Sequence, residues 1–184
     1  MLFIIPTDTC FWIWCEISDV ENYHKIYKIK KRDLSKPLAI MVLDFSWLED
    51  NTSLTKEQVE FLKNYERPFT IMTDCPRIKM ILELEQQDFS YENVSEYKKI
   101  AFRVANTDLE KKLISDIWPI FLTSANFSWE KEIYSTTEAK KQFSKYLKEI
   151  KFIPEDFEIT WKLPPSDIFE FVWDSLEVKY LRKN

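Results

Sequence analysis

Leu2-Phe3-Ile4-Ile5-Pro6-Thr7-Asp8-Thr9-Cys10-Phe11-Trp12-Ile13-Trp14-Cys15 is the stretch to which the rest of the chain answers. Its opening apolar run reads as a short buried strand, and Pro6 stops it. Two threonines around an aspartate follow. A strand that ends in short hydroxyl and carboxylate side chains is how an α/β sheet presents binding groups, outside the carboxyl ends of its strands. Trp12 and Trp14 then fall where the chain is expected to turn. Two large rings are out of place in a turn that must approach a ligand.

Around this stretch the composition is ordinary with one exception. At 184 residues the chain is expected to form one domain, residues 1–184, with a sizeable core. Apolar residues make up 45% and charged residues 31%, as in soluble globular proteins. The first apolar run is too short and lacks the basic flank of a signal peptide. No run reaches the ~18 apolar residues of a membrane span, so a cytoplasmic protein is expected. Cys10, Cys15 and Cys75 form no CxxC pair, which suggests neither a disulfide framework nor a zinc site. A net charge of −5 argues against a broad nucleic-acid surface but leaves room for a local basic pocket. The exception is glycine, which is absent. At a usage of about 7%, roughly 13 would be expected. Turns that need positive φ, and places of close backbone approach, must therefore be met by other residues.

Further along, Ser18-Asp19-Val20-Glu21 reads as a capping box with Ser18 at the N-cap, opening a helix to about Ile29. His24, the single histidine, sits on it and reads as a helix-surface or edge residue. The helix runs into the basic segment Lys28-Ile29-Lys30-Lys31-Arg32, with Lys36 shortly after. Such a segment is either a solvated helix end that suits the macrodipole or a phosphate clamp. Leu38–Leu43 reads as a strand. Thr55-Lys56-Glu57-Gln58 is a second capping box, with its helix to about Tyr65. Arg67–Met72 gives a turn and a strand, and Ile78–Leu84 a helix. Ile100–Val104 is a strand carrying Arg103, which either snorkels at a sheet edge or points inward to a ligand. Thr107–Ile117 is helical. Pro119–Leu122 is a strand ending in Thr123-Ser124-Ala125-Asn126-Phe127-Ser128, the second strand to end in small polar groups. Ser135 caps a helix to about Leu147. Ile168–Val172 and Leu176–Leu181 have hairpin spacing around Trp173-Asp174-Ser175. Strands alternating with helices, closed by a hairpin, imply an α/β fold with a mixed sheet.

Four pieces now stand in order: a strand leading to PTDT, KKRDLSKP, RPFT, and a strand leading to TSANFS. In that order and spacing the chain resembles the YrdC/TsaC family of threonylcarbamoyl-AMP synthases, from Phe3 to about Arg182. Phe11 and Cys15 match the aromatic and the cysteine of the family's first motif. Lys30 and Arg32 match its K-x-R, Lys36 the second lysine, Thr70 the PFT threonine, and Ser124 and Asn126 the S-x-N. Pro165-Ser166 resembles a P-S-T, with Asp167 in place of the threonine. The resemblance implies a YrdC-like twisted mixed β-sheet with flanking helices and a concave, basic ligand cavity. Relatives usually begin with a helix and a strand before PTDT, so the family's N-terminal helix is expected to be missing here, with one side of the sheet uncovered.

The departures from the family pattern are systematic. Trp12, Trp14, Trp118 and Trp129 sit at the family's glycines, Trp173 in a hairpin turn, and Trp47 and Trp161 in expected loops. All seven tryptophans thus fall at known or plausible glycine positions in a chain with no glycine. Codon UGA is read as tryptophan in some genetic codes and as glycine in others. The reading that follows is that these positions are UGA-encoded glycines, which UGG codons there would refute. As written, the chain is expected to be damaged or inactive.

The resemblance also implies a reaction: L-threonine, bicarbonate and ATP give L-threonylcarbamoyl-AMP and pyrophosphate, a nucleotidyl transfer that serves tRNA threonylcarbamoyladenosine formation. Lys30 and Arg32 are then the expected catalytic cations. Lys30, Arg32, Lys36, Ser124, Asn126, Ser166 and Arg182 would hold the nucleotide. Thr9, Thr70, Arg103 and Thr123 would form the threonine end. Asp8 is expected to stabilise the turn. Mg²⁺ would arrive with ATP, and no dedicated metal cage is expected. Partners beyond the substrates would be tRNA and the proteins that transfer the threonylcarbamoyl group. Two other readings stay open: a module for structured, double-stranded RNA, and a YciO-like relative with a nucleotide site and little synthase activity.

Overall fold

The computed structural model describes residues 1–33, 36–76, 99–115, 119–160 and 163–184. Its described strands form one nine-stranded mixed sheet in the order β7-β1-β2-β6-β3-β5-β4-β8-β9. In chain order the elements are β1 (Leu2–Pro6), β2 (Phe11–Glu16), α1 (Val20–Lys30), β3 (Ala39–Val42), α2 (Phe45–Asn51) and α3 (Lys56–Lys63). β4 (Phe69–Thr73), β5 (Ile100–Val104), α4 (Asp108–Ser115), β6 (Ile120–Ser124) and α5 (Thr136–Gln142) follow. A 3₁₀ turn at Ser144–Tyr146 then leads to β7 (Ile150–Phe152), β8 (Asp167–Phe171) and β9 (Val178–Arg182).

The expected turn at Trp12 and Trp14 is a strand. β2 runs antiparallel to β1, pairing Ile5 with Trp12 and Phe3 with Trp14, and antiparallel to β6 on its other side. Phe-Trp-Ile-Trp-Cys is an aromatic and β-branched run, which suits a half-buried pleated surface. The turn lies earlier, at residues 7–10. Thr7 builds it: its N–H and Oγ1 both donate to the Cys10 carbonyl, at 3.0 and 2.8 Å. β1 has a strand on each side, β2 and β7.

Alternation along the strands sorts side chains onto two faces. Phe11, Ile13 and Cys15 join Ile40, Val42, Phe102, Phe121 and Phe169 on one face. Against them pack Tyr23, Ile26 and Tyr27 of α1, Leu48 of α2, Val59 and Leu62 of α3, and Ala139 of α5. The other face carries Ile5, Trp12, Trp14, Ala39, Met41, Ala101 and Leu122, with Ile114 of α4. Among the described residues, four helices thus pack on one face and α4 on the other.

Helix starts follow local chemistry, with one shift. Asp19, not Ser18, is the N-cap of α1, accepting from the Asn22 N–H at 3.1 Å. A carboxylate one residue on caps as well as a hydroxyl. The Thr55–Gln58 capping box forms with both arms. Asp44 caps α2, so Trp47 lies in a helix rather than a loop, its ring 5.7 Å from Phe102. α5 is shorter than expected, ending at Gln142 before the 3₁₀ turn. The final hairpin forms, β8 antiparallel to β9. Two non-glycine residues among those described take positive φ: Lys31 (49°), which C-caps α1, and Trp173 (56°), in the hairpin turn. Trp118, Trp161 and the helix expected at Ile78–Leu84 lie outside the described residues. No helix among the described residues is long and apolar enough to cross a membrane.

Candidate functional site

The sheet face that carries α4 holds a cavity of about 550 Å³, within the range of small-molecule sites. Its floor comes from successive strands: Trp12 of β2, Leu122 of β6, Ala39 of β3, Ala101 of β5, Met72 and Thr70 of β4, and Ile168 of β8. Ala39 and Ala101 explain the depth, since methyl side chains in mid-sheet leave room that larger residues would fill. The rim comes from Thr9, Cys10, Lys30, Arg32, Lys36, Ser124, Asn126, Ser128, Ser166 and Arg182. A second cavity of about 500 Å³, lined by Gln58, Asp74, Lys99, Glu170 and Trp173 among others, contains none of the expected site residues.

Ten of the eleven expected site residues line the first cavity; Arg103 is the exception. α1 packs on the sheet through Tyr23, Ile26 and Tyr27, so its last residue, Lys30, is delivered to the end of β6. The Lys30 ammonium donates to the carbonyls of Ser124 and Asn126, and its side chain is buried. Burial, with the Arg32 charge nearby, pushes its pKa down to about 7. The left-handed Lys31 then reverses the chain, with Arg32 N–H bonded to the Tyr27 carbonyl at 2.9 Å. Arg32 donates from Nε to the Lys36 carbonyl and from Nη2 to the Pro37 carbonyl, both at 3.0 Å. Both expected catalytic cations therefore brace loop backbone, and a phosphate would share their N–H groups with those carbonyls.

On the β6 side, Asn126 donates from Nδ2 to the Glu130 carbonyl at 2.6 Å. Its Oδ1 is buried without a partner, an acceptor left over at the cavity wall. Thr123 pairs with Ile13, so alternation turns its side chain away from the face carrying Leu122 and Ser124. Across the cavity, the hydroxyls of Thr70 and Ser166 meet at 2.9 Å. Arg182 donates from Nε and Nη2 to the Ser166 carbonyl, at 3.0 and 2.6 Å. Asp167, beside Ser166, faces away from this exchange. Its buried carboxylate accepts from Tyr65 Oη and from the Asn184 N–H, each at 2.8 Å, with Arg67 at 3.5 Å. Burial acts to raise its carboxyl, yet these hydrogen bonds and the Arg67 charge bring it below the usual range. The residue that departs from the family's P-S-T thus anchors the chain end.

Arg103 is 2% exposed on β5, an interior strand, so the edge reading fails. It pairs with Asp8 of the β1–β2 turn. Its guanidinium carbon lies 4.7 Å from the centre of the Trp12 ring, and its Nε and Nη1 are buried with no hydrogen-bond partner. Asn106 also approaches Asp8, at 3.5 Å. Glu110, the N3 residue of α4, is buried next to this pair and accepts from the Asn106 and Thr107 N–H groups. Burial first, and the Asp8 charge next, raise its carboxyl.

Sequence reasoning missed Glu130, Glu132, Met72, Ile168 and Leu181 as lining residues. They lie outside motifs and enter through sheet register and loop packing. Cys10 also lines the cavity; burial pushes its thiol up to about 12, so it is neutral at ordinary pH. The described residues contain no group of three His, Cys, Asp or Glu side chains able to hold a metal ion.

Comparison with known proteins agrees with this fold. The chain is 27% identical over 169 residues to the threonylcarbamoyl-AMP synthase of Vibrio vulnificus, covering 89% of this chain and 83% of that protein. Its fold matches that of P. abyssi Sua5 in complex with L-threonine, with a TM-score of 0.73 and 24% identity over 98% of this chain. It spans only 49% of the P. abyssi protein. E. coli YciO matches with a TM-score of 0.75 and 16% identity, over 99% of this chain and 82% of YciO. The Sua5/YciO/YrdC family model, described as "Telomere recombination", matches residues 1–181, and the chain belongs to this family.

Proposed function

We propose that the cavity is a threonylcarbamoyl-AMP synthase site, using L-threonine, bicarbonate and ATP. One observation carries this reading: residues spread from Thr9 to Arg182, expected to hold the nucleotide and threonine, line a single cavity. Its lining includes four cationic side chains, Lys30, Arg32, Lys36 and Arg182, although the chain as a whole is acidic. Carbamate, carboxylate and triphosphate are all anions, so a local cationic site in an acidic protein suits them.

In the reaction, the threonine amine and bicarbonate condense to a carbamate with loss of water. A carbamate oxygen then attacks the α-phosphorus of ATP. The new P–O bond forms as the bond to the bridging oxygen breaks, and pyrophosphate leaves with the electron pair. Such a step needs positioning and charge stabilisation more than a protein nucleophile. Lys30 and Arg32, held at fixed positions by backbone carbonyls, are pre-organised cations for the charge that develops. Asn126 Oδ1 and the Thr70–Ser166 hydroxyl pair offer hydrogen bonds. Mg²⁺ would neutralise the phosphates, held by them and by at most one or two carboxylates such as Glu130 or Glu132.

The test is release of pyrophosphate from ATP with bicarbonate, with and without L-threonine, on the chain as written and on the version with glycine at all seven tryptophans. Threonine-dependent release by the glycine version is the expected result; release without threonine dependence removes the assignment. A second reading, nucleotide binding with little synthase activity, draws on one observation: Arg103 does not reach the cavity. ATP binding by the glycine version with no threonine-dependent release would select it.

A further inference from the structure

The β8–β9 ladder contains an irregularity that shapes one wall of the cavity. Phe169 pairs with Tyr180, but Ile168 pairs with Arg182, so Leu181 is an extra residue in β9, a β-bulge. In an unbroken strand Arg182 would share a face with Tyr180, two residues before it. Tyr180 faces away from the cavity, its hydroxyl 3.2 Å from that of Tyr65 and its ring 5.6 Å from Phe169. The bulge breaks the alternation, and Leu181 and Arg182 both line the cavity. Beyond the bulge the backbone is tied down. The Asn184 N–H donates to Asp167 Oδ1 at 2.8 Å, and its Nδ2 donates to the Pro165 and Ser166 carbonyls at 2.9 and 3.1 Å. The Ser166 carbonyl thus accepts from Asn184 and from Nε and Nη2 of Arg182 together. Asp167 is itself fixed, fully buried against Tyr65 and Arg67.

We propose that Asp167 and Asn184 are positioning residues of the cavity: they pin the chain beyond the Leu181 bulge and so keep the Arg182 guanidinium beside Ser166, turned toward the phosphates of a nucleotide. A bulge leaves one residue outside the ladder, so pairing alone does not hold β9 in register beyond it. The competing state is the regular register, which sends Arg182 to the face of Tyr180 and Asp167. Two ties on Asn184 oppose that slip. One is a charge-assisted hydrogen bond to a buried carboxylate, the stronger kind. The other is the Nδ2 bridge to the two carbonyls that flank Ser166. Asp167 stands where the family's P-S-T has its threonine, so this anchor is a feature of this chain. That the ligand is a nucleotide rests on the function proposed above; the anchored bulge does not.

Modification of Arg182 by 2,3-butanedione, located by peptide mass spectrometry, reads the hold on the guanidinium without any ligand. In Asn184→Ala, Arg182 is expected to react about threefold faster or more, because the segment beyond the bulge opens more often. An unchanged rate overturns the positioning role even if the synthase reading stands. Asn184 is exposed, so this variant is expected to melt close to the parent. Asp167→Asn, of equal size, is expected to move the rate in the same direction. The second readout is calorimetric affinity for a non-hydrolysable ATP analogue. It is measured on the chain as written and on the version with glycine at all seven tryptophans, since the anchor contains no tryptophan. Asn184→Ala is expected to weaken binding about fivefold or more, as a charge-assisted contact to phosphate is misplaced. With Arg182 already alanine, the same change is expected to cost less than about twofold, because the two residues act as one unit. Equal weakening in both backgrounds, or none in either, overturns action through Arg182. If Arg182 reacts faster but neither version binds the analogue, the anchored bulge stands and the nucleotide reading falls.

Discussion

At the scale of single residues, the absent glycines and the seven tryptophans behave as distinct cases. Only two described positions need the left-handed region, and Lys31 fills one of them. The other is Trp173, which is 90% exposed and takes φ of 56° in a hairpin turn. A ring so exposed gains almost no burial, while a β-carbon in left-handed geometry costs about 1–2 kcal/mol. Trp173→Gly is therefore expected to stabilise the chain by about 1 kcal/mol in urea denaturation; a loss of stability would show that the turn needs the indole. Trp47 is the opposite case, since it packs on Phe102 inside a helix, where glycine has no conformational role. Trp14 lies between: its ring stacks on Phe3 at 4.4 Å, but its Nε1 is buried without a partner. The glycine reading has its clearest physical basis at Trp173, where the backbone takes the left-handed conformation that glycine favours.

At the scale of elements, the β8–β9 hairpin reaches the sheet through Asp167. Tyr65 after α3, Arg67 before β4 and Asn184 at the chain end converge on that one buried carboxylate. Asp167→Ala leaves these donors without an acceptor, and the expected cost is about 2–4 kcal/mol. The pH dependence has a definite sign. The folded carboxyl lies below its usual range, so its contribution is present above an ordinary aspartate pKa, about 4, and is lost as pH falls through the folded value. The difference in stability between the chain and Asp167→Ala, measured by urea denaturation, is therefore expected to shrink below about pH 4. An unchanged difference at low pH would show that the loss came from packing instead. Helix caps belong to this scale too. The Thr55–Gln58 box was legible because both of its partners are local. The cap of α1 moved to Asp19 because either Ser18 or Asp19 could have capped it, and a side-chain pattern does not choose between adjacent candidates.

At the scale of the whole molecule, the cavity exists because the sheet brings α1, the β1–β2 turn, the β6 loop and the final hairpin to one face. Assembly changes the chemistry of Lys30, which no local pattern could reveal. Burial and the neighbouring Arg32 bring its pKa to about 7. A charged ammonium attracts phosphate and a neutral amine does not. Affinity for ATP is thus expected to fall as pH rises from about 6 to about 8, with the slope lost in Lys30→Met. A slope that persists in Lys30→Met would assign the titration elsewhere. For stability the sign is set by the same shift. Between about pH 7 and an ordinary lysine pKa near 10.4, the unfolded chain binds the proton that the folded one has released, so this group makes stability rise with pH across that window.

The sequence by itself determined the class of the fold, the order of most elements and ten of the residues that line the cavity. The fold class and the elements rest on local signals, alternation, caps and polar groups at strand ends, whereas the site residues rest on the resemblance of four motifs to a known family. It misjudged β2, where the aromatic run had strand propensity but the polar cluster before it suggested that the chain was still turning. Only the tertiary structure decided that β2 is an interior strand, that Trp12 stands between Arg103 and the cavity, and that Asp167 anchors the chain end. Each depends on which residues face each other across strands far apart in sequence. That register is set by the packing of the whole sheet, and a single residue of slip would move every side chain to the opposite face.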